Sequence, residues 1–356
     1  MYTYSKQKTR GCFLEKLFME DIVKSIEIIA PQAGENLSLR TQDQQNFFNA
    51  PERFTPHEAD PTPNKIDNTT PLPVRFRWKA AGRAVLKISE NADLSKADVY
   101  TGINDCRVYN LLPGKKYYFQ IQCGEAVSEI STFNIAFELP RVIALPNVTN
   151  VRDCGGWQLN NGKRYKFNML YRGAQFEPWT VLPHGCGINA EGEKLLKALK
   201  IKTELDLRLD GEDFFQKEDM LYCKIPSTAY ATWQNEGIFS AEAMEQIRKI
   251  FILLADKLVY PVYFHCQGGG DRTGTLAFLL GAMLGMSYDD LLTDYEFSNL
   301  SVSGERIRYS TVWQAFEKKL QTFAPGESVQ TQVTNYLHRC GVSDLLLDKI
   351  KNILAE

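Results

Sequence analysis

Residues 265–274 read HCQGGGDRTG. A soft nucleophile, Cys266, stands just ahead of three consecutive glycines, Gly268, Gly269 and Gly270, and a permanent cation, Arg272, follows them. Glycines in a row let successive backbone N–H groups turn towards one anion. The preceding PVYFHC reads as a short buried strand, and the following TGTLAFLLGAMLGM is apolar nearly all round, as a buried helix is. A strand therefore delivers the cysteine to a tight turn, and a helix beginning near Arg272 adds its first N–H groups and positive dipole end. Residues Gln267 to Arg272 form a cradle for an anion with three oxygens, and the Arg272 fork adds a bidentate charged contact. The same field favours the thiolate of Cys266. A thiolate beneath a bound phosphoryl group can attack phosphorus, and water then hydrolyses the phosphocysteine. Thr273 is expected to donate its hydroxyl to the sulfur. His265 is expected to fix the turn through hydrogen bonds to the backbone. The scheme asks for no cofactor and no metal.

The complete His-Cys, five residues, Arg-Thr-Gly pattern resembles the phosphate loop of the protein tyrosine phosphatase superfamily. NVRDCGGW at 150–157, YRGAQF at 171–176, TELDLR at 203–208 and an ending with Tyr336, Gly341 and Val342 resemble, in order, one bacterial tyrosine phosphatase family. The resemblance spans 140–356. It implies a hydrolase for phosphomonoesters with phosphotyrosine favoured, dual specificity extending to phosphoinositides in several members, and export. It also implies Asp271 as general acid, since KIPSTAYATWQNEG (224–237), where a Trp-Pro-Asp loop would fall, holds no aspartate. The rival role for Asp271 is to accept N–H bonds from the loop, and Asp210, Glu212 and Asp213 are the alternative acids. Arg152, Asp153, Asp206 and Arg208 are either buried ion pairs that hold the loops or direct contacts to substrate. Members acting on phosphoinositides often carry Lys before the loop aspartate. Gly270 stands there, which weakens the phosphoinositide or inositol phosphate alternative. A third reading is a catalytically weak phosphate-binding or adhesion protein.

These residues need a scaffold. KTELDLRL alternates as a strand does, with Thr203, Leu205, Leu207 and Leu209 on one face. Ser240 is placed to cap a helix with Met244, Ile247, Phe251, Leu254 and Leu258 in one stripe. Two helices close the chain, one through Val329, Val333 and Tyr336 up to Gly341, the other from near Ser343 through Leu346, Ile350 and Ile353. Together they imply an α/β fold with a mostly parallel central sheet flanked by helices. Upstream the text differs. Residues 41–72 are rich in Pro, Asn, Asp, Gln and Thr and read as loop. From Pro73 to about Phe137 short strands recur about every ten residues, as in VRFRWKA, AVLKISE, ADVYTG, YYFQIQCG and EISTFNIAF. NLLPGKKYYFQI resembles the Tyr corner of fibronectin type III domains, with Tyr117 or Tyr118 as the corner and Trp78 as core tryptophan. The expected division is an N-terminal segment 1–32, an all-β Ig- or fibronectin-like sandwich 33–139 and a phosphatase-like domain 140–356.

Bulk properties exclude other classes. With 356 residues, 44% hydrophobic and 24% charged, the chain is an ordinary globular protein of about two domains. A net charge of −2 and the lack of a polybasic tract give no footing for nucleic acid or an acidic membrane. No apolar run spans a bilayer. Glu15, Lys16, Glu20 and Asp21 interrupt what would be a signal-peptide core. That and the cysteines favour a cytoplasmic interior, against the export implied by the family. The eight cysteines, 12, 106, 123, 154, 186, 223, 266 and 340, show no metal-like spacing and read as free thiols. The expected partners are a phosphorylated protein or peptide, or a phosphoinositide.

Overall fold

The computed structural model describes residues 26–50, 67–178, 187–215, 220–230, 236–302 and 306–356. It divides into two compact units. One comprises residues up to Leu39 together with Pro73–Glu138, and the other Arg40–Leu72 together with Leu139–Glu356.

The first unit is built from two sheets. Glu27–Ala30, Val74–Lys79 and Asp105–Val108 form one. Glu35–Leu37, Ser131–Ile135, Lys116–Cys123, Arg83–Ser89 and Asp98–Ile103, in that spatial order, form the other. Every pairing is antiparallel except Glu35–Leu37 with Ser131–Ile135. Strand alternation does what the sequence implies. Val74, Phe76 and Trp78 are buried and Arg75, Arg77 and Lys79 are exposed. Phe76 packs edge-on against Phe119 and Phe133 from the facing sheet, so one core lies between the sheets. Tyr117 is buried, and its hydroxyl accepts the Leu112 N–H at 2.9 Å.

The second unit holds a six-stranded sheet. Its spatial order is Arg141–Val142, Arg152–Asp153, Leu170–Gly173, Val262–His265, Thr203–Asp206 and Leu221–Lys224. The first two pairings are antiparallel and the remaining three parallel. Gly173, His265 and Asp206 share one register level, so the turns after these strands emerge side by side at the carboxyl edge. The helix Asp271–Leu284 carries the apolar stretch, with Leu276, Phe278, Leu279, Leu280, Met283 and Leu284 buried. Burial of each such side chain is worth about 1.5–3 kcal/mol. It ends at Gly285, whose φ of +95° closes the helix in the left-handed conformation. Ser240 does cap Ala241–Leu254, accepting the Ala243 N–H at 3.2 Å. The closing helices are Val329–Arg339 and Asp344–Leu354.

Several expectations change. Leu258 lies beyond the helix in a short turn and is 79% exposed, and Ile250 fills the stripe instead. Thr203–Asp206 is buried on both faces, with Asp206 in an ion pair with Arg208. Leu209, read as the end of that strand's apolar face, is exposed. Residues 41–72 are not all loop: Gln42–Asn49 is a helix begun by a reciprocal Thr41/Gln44 capping box. That helix and residues 67–72 also belong to the second unit, not with the sandwich, because their buried side chains find partners there. Cys12 and Cys186 lie outside the described residues; the described cysteines form no disulfide with one another. Among the described residues no helix is long and apolar enough to cross a membrane.

Candidate active site

Cys266 follows the central strand directly and is buried. The turn after it is organised by its carbonyls. The Cys266 carbonyl meets His265 Nδ1 at 3.1 Å. The Gln267 carbonyl accepts the Gln175 N–H at 3.1 Å. The Gly268 carbonyl accepts Asn150 Nδ2 at 3.4 Å, and the Gly269 carbonyl accepts Arg172 Nη2 at 2.9 Å. The Gly270 carbonyl accepts both the Gly274 N–H at 2.9 Å and the Tyr230 hydroxyl at 3.3 Å. Every acceptor of the turn is thus taken up by surrounding donors. Among the described residues, the N–H groups of Gln267, Gly269, Gly270 and Arg272 donate to no protein acceptor. A buried turn with its carbonyls engaged and its N–H groups left over is a receptor for an anion. Gly269 is required here: its φ is +69°, and a Cβ would stand 2.5 Å from the Gly173 carbonyl carbon.

Arg272 opens the helix that starts at Asp271. Among the described residues its guanidinium makes no ion pair and no hydrogen bond, whereas Arg152, Arg172, Arg208 and Arg306 each bind a carboxylate. Asp271 has a side chain 52% exposed at the rim of the turn and pairs with Arg306 at 2.8 Å. The Arg306 guanidinium lies over Gly270, where a Cβ would be 2.6 Å from Nη2. Thr273 Oγ1 is buried without a hydrogen-bond partner, so the expected donation to the Cys266 sulfur is not made in this state. His265 is fully buried beside the backbone of the turn. The Cys266 carbonyl can only accept, so Nδ1 carries hydrogen. Its Nε2 faces Glu204 Oε1 at 2.9 Å, and a shared proton joins the two. Burial pushes the Glu204 carboxyl up, against the pull of His265.

The remaining expected residues form two supports. Arg152 binds Asp294 at 2.6 Å and Asn150 Oδ1 at 2.5 Å. Asp294 also binds Arg172, which holds Gly269. Burial opposes ionisation of Asp294, but Arg152 and Arg172 prevail and hold its carboxyl below the usual range. On the other side Arg208 joins Asp206, Glu177 and the side chain of Gln175, whose backbone N–H holds Gln267. Asp153 stands apart from the loop, binding Arg141 and the N–H groups of Gly155 and Asn168. Arg152, Asp206 and Arg208 lie in ion pairs beside the loop. Asp210, Glu212 and Asp213 follow the Arg208 cluster in the chain. Glu204, Arg172, Asn150, Asp294, Tyr230 and Arg306 were not singled out from sequence. For Glu204 the signal was its place on the carboxyl-edge strand; for Tyr230 and Arg306 no local pattern exists.

The model of the tyrosine phosphatase family matches residues 143–356, which include the whole site. The chain belongs to the tyrosine phosphatase family. Among solved structures, TpbA of P. aeruginosa is 18% identical over 49% of this chain and 89% of its own, with a TM-score of 0.31. A cysteine-to-serine form of TpbA in complex with phosphotyrosine is 16% identical over 51% and 91%, with a TM-score of 0.31. The core catalytic domain of the PP-IP phosphatase SIW14 from S. cerevisiae, in complex with citrate, is 15% identical over 41% and 76%, with a TM-score of 0.28. No curated relative matches the chain.

Proposed function

We propose that this tyrosine phosphatase family member hydrolyses phosphotyrosine in a protein or peptide through a phosphocysteine. The observation that carries the reading is the turn at 267–270, whose carbonyls are all engaged while the N–H groups of Gln267, Gly269 and Gly270 keep no protein acceptor among the described residues. Three phosphoryl oxygens take up these donors, and Arg272 closes on two of them. Cys266 beneath them forms the S–P bond as the P–O bond to the leaving group breaks. Asp271 at the exposed rim protonates the leaving oxygen, then takes a proton from the attacking water. Its pairing with Arg306 keeps the carboxyl at the rim between turnovers. Because Asp271 neutralises Arg306, the turn offers one uncompensated guanidinium among the described residues, which fits one phosphate better than several. The catalytic unit is read as discontinuous, 40–72 with 139–356. The first unit is read as fibronectin-like, supported by buried Trp78 and the Tyr117–Leu112 bond.

The test is a panel of phosphotyrosine peptide, phosphoserine peptide and phosphoinositide vesicles, with wild type and Cys266→Ser. Turnover of phosphotyrosine that vanadate blocks and Cys266→Ser lacks is the expected result. Preference for the vesicles would replace the substrate assignment. Equal residual rates in both proteins would remove the enzymatic one.

A further inference from the structure

The family match begins at residue 143, yet the phosphate turn is braced from before the sandwich. Thr69 is 2% exposed and its hydroxyl works twice. It donates to Asp67 Oδ1 at 2.5 Å and accepts the backbone N–H of Asn150 at 2.8 Å. Asn150, fully buried with φ +62°, is the residue whose Nδ2 holds the Gly268 carbonyl. Its Oδ1 is taken by Arg152, so its orientation is set from both sides. The segment around Thr69 is itself fixed. Asn68 N–H donates to the Leu300 carbonyl at 2.9 Å. Gln44, also fully buried, donates Nε2 to the carbonyls of Asn68 at 2.9 Å and Thr70 at 3.1 Å. Phe47 and Phe48 pack on Phe297.

We infer that Thr69 is a positioning residue of the phosphate turn, holding Asn150 so that the Gly268 carbonyl stays bonded outside the anion cradle. Losing the Asn150 bond weakens the hold on the Gly268 carbonyl, and an acceptor turned inward among the donors would repel the phosphate. Without the hydroxyl, the buried Asn150 N–H also loses its partner. This rests on the reading of the turn as a phosphate site.

The test uses the full chain with p-nitrophenyl phosphate as substrate and orthovanadate as probe, below the thermal midpoint of each protein. Thr69→Val keeps the shape and removes the hydroxyl. It should weaken vanadate inhibition and lower kcat/KM about five- to tenfold, the scale of one lost buried hydrogen bond, and Thr69→Ser should restore both. Wild-type vanadate affinity and kcat/KM in Thr69→Val overturn the inference, whatever the melting temperature does. So does a loss that Thr69→Ser fails to restore, which would mark a packing role. Should Thr69→Val not fold, Gln44→Met loosens the same segment, and unchanged vanadate affinity there overturns it equally. Cys266→Ser is measured alongside: if it keeps wild-type turnover, the phosphatase reading itself falls, independently of Thr69.

Discussion

Arg272 and Arg306 lie at the same turn in opposite conditions. Arg272 has no carboxylate partner among the described residues, whereas Arg306 is tied to Asp271. Arg272→Lys keeps the charge and loses the planar fork, so kcat/KM should fall about 10²–10³-fold, with weaker vanadate inhibition. Steady-state kinetics on a phosphotyrosine peptide would show it; a loss below tenfold would remove Arg272 from the reaction. Asp271→Asn tests the acid. The rate on a poor leaving group such as tyrosine should fall about 10²–10⁴-fold, and clearly less on p-nitrophenyl phosphate, whose leaving group hardly needs a proton. Equal losses on both substrates would make Asp271 a structural residue. At this scale the sequence was most informative. Cys266, the glycines and Arg272 are contiguous, and a cradle made of main chain depends on few other side chains. What it did not reveal is the use of each turn carbonyl, because Asn150, Arg172, Gln175 and Tyr230 reach the turn from about 40 to 118 residues away in the chain.

Three strand ends and a helix start set the geometry, and Asp294 on the helix Tyr288–Phe297 locks two of the strands to it. Asp294→Asn leaves Arg152 and Arg172 buried without their counter-charge, so urea unfolding should show a loss of about 3–5 kcal/mol. The pH dependence has a definite sign. A carboxyl held below its ordinary value of 3.8 gives its full stabilisation above that value, and loses it as pH falls towards the lower folded value. Wild type should therefore lose stability on acidification through that window, and Asp294→Asn should lose less over the same window. Element type was mostly readable from periodicity: Val74–Lys79, Ala241–Leu254 and Asp271–Leu284 lie where their apolar spacing put them. Thr203–Asp206 shows the limit. Its alternation marks a strand but does not name the partners, and Glu204 and Asp206 are interior, partnered by His265 and Arg208. A period of two cannot tell a solvated carboxylate from one paired with a residue elsewhere in the chain.

At the scale of the molecule, the two units invite separate tests. Tyr117→Phe removes the hydroxyl that accepts the Leu112 N–H and should lower the stability of the first unit by about 1 kcal/mol. Phosphotyrosine turnover should stay at the wild-type rate; a parallel drop in kcat would tie the sandwich to catalysis. The boundary between units was not legible, since Pro- and Asn-rich text reads as loop until Phe47 is seen packed on Phe297 and Thr69 bonded to Asn150. That arrangement also fixes an order of events during synthesis. Thr69 leaves the ribosome roughly 200 residues before Gly268, which at about 5–20 residues per second is an interval of about 10–40 s. Through that time Phe47 and Phe48 have no Phe297 to cover them, while the strands from 73 to 138 already have everything needed to pair among themselves. The nascent chain thus carries an uncovered aromatic pair upstream of strands that can already pair, until the residues around Phe297 have been made.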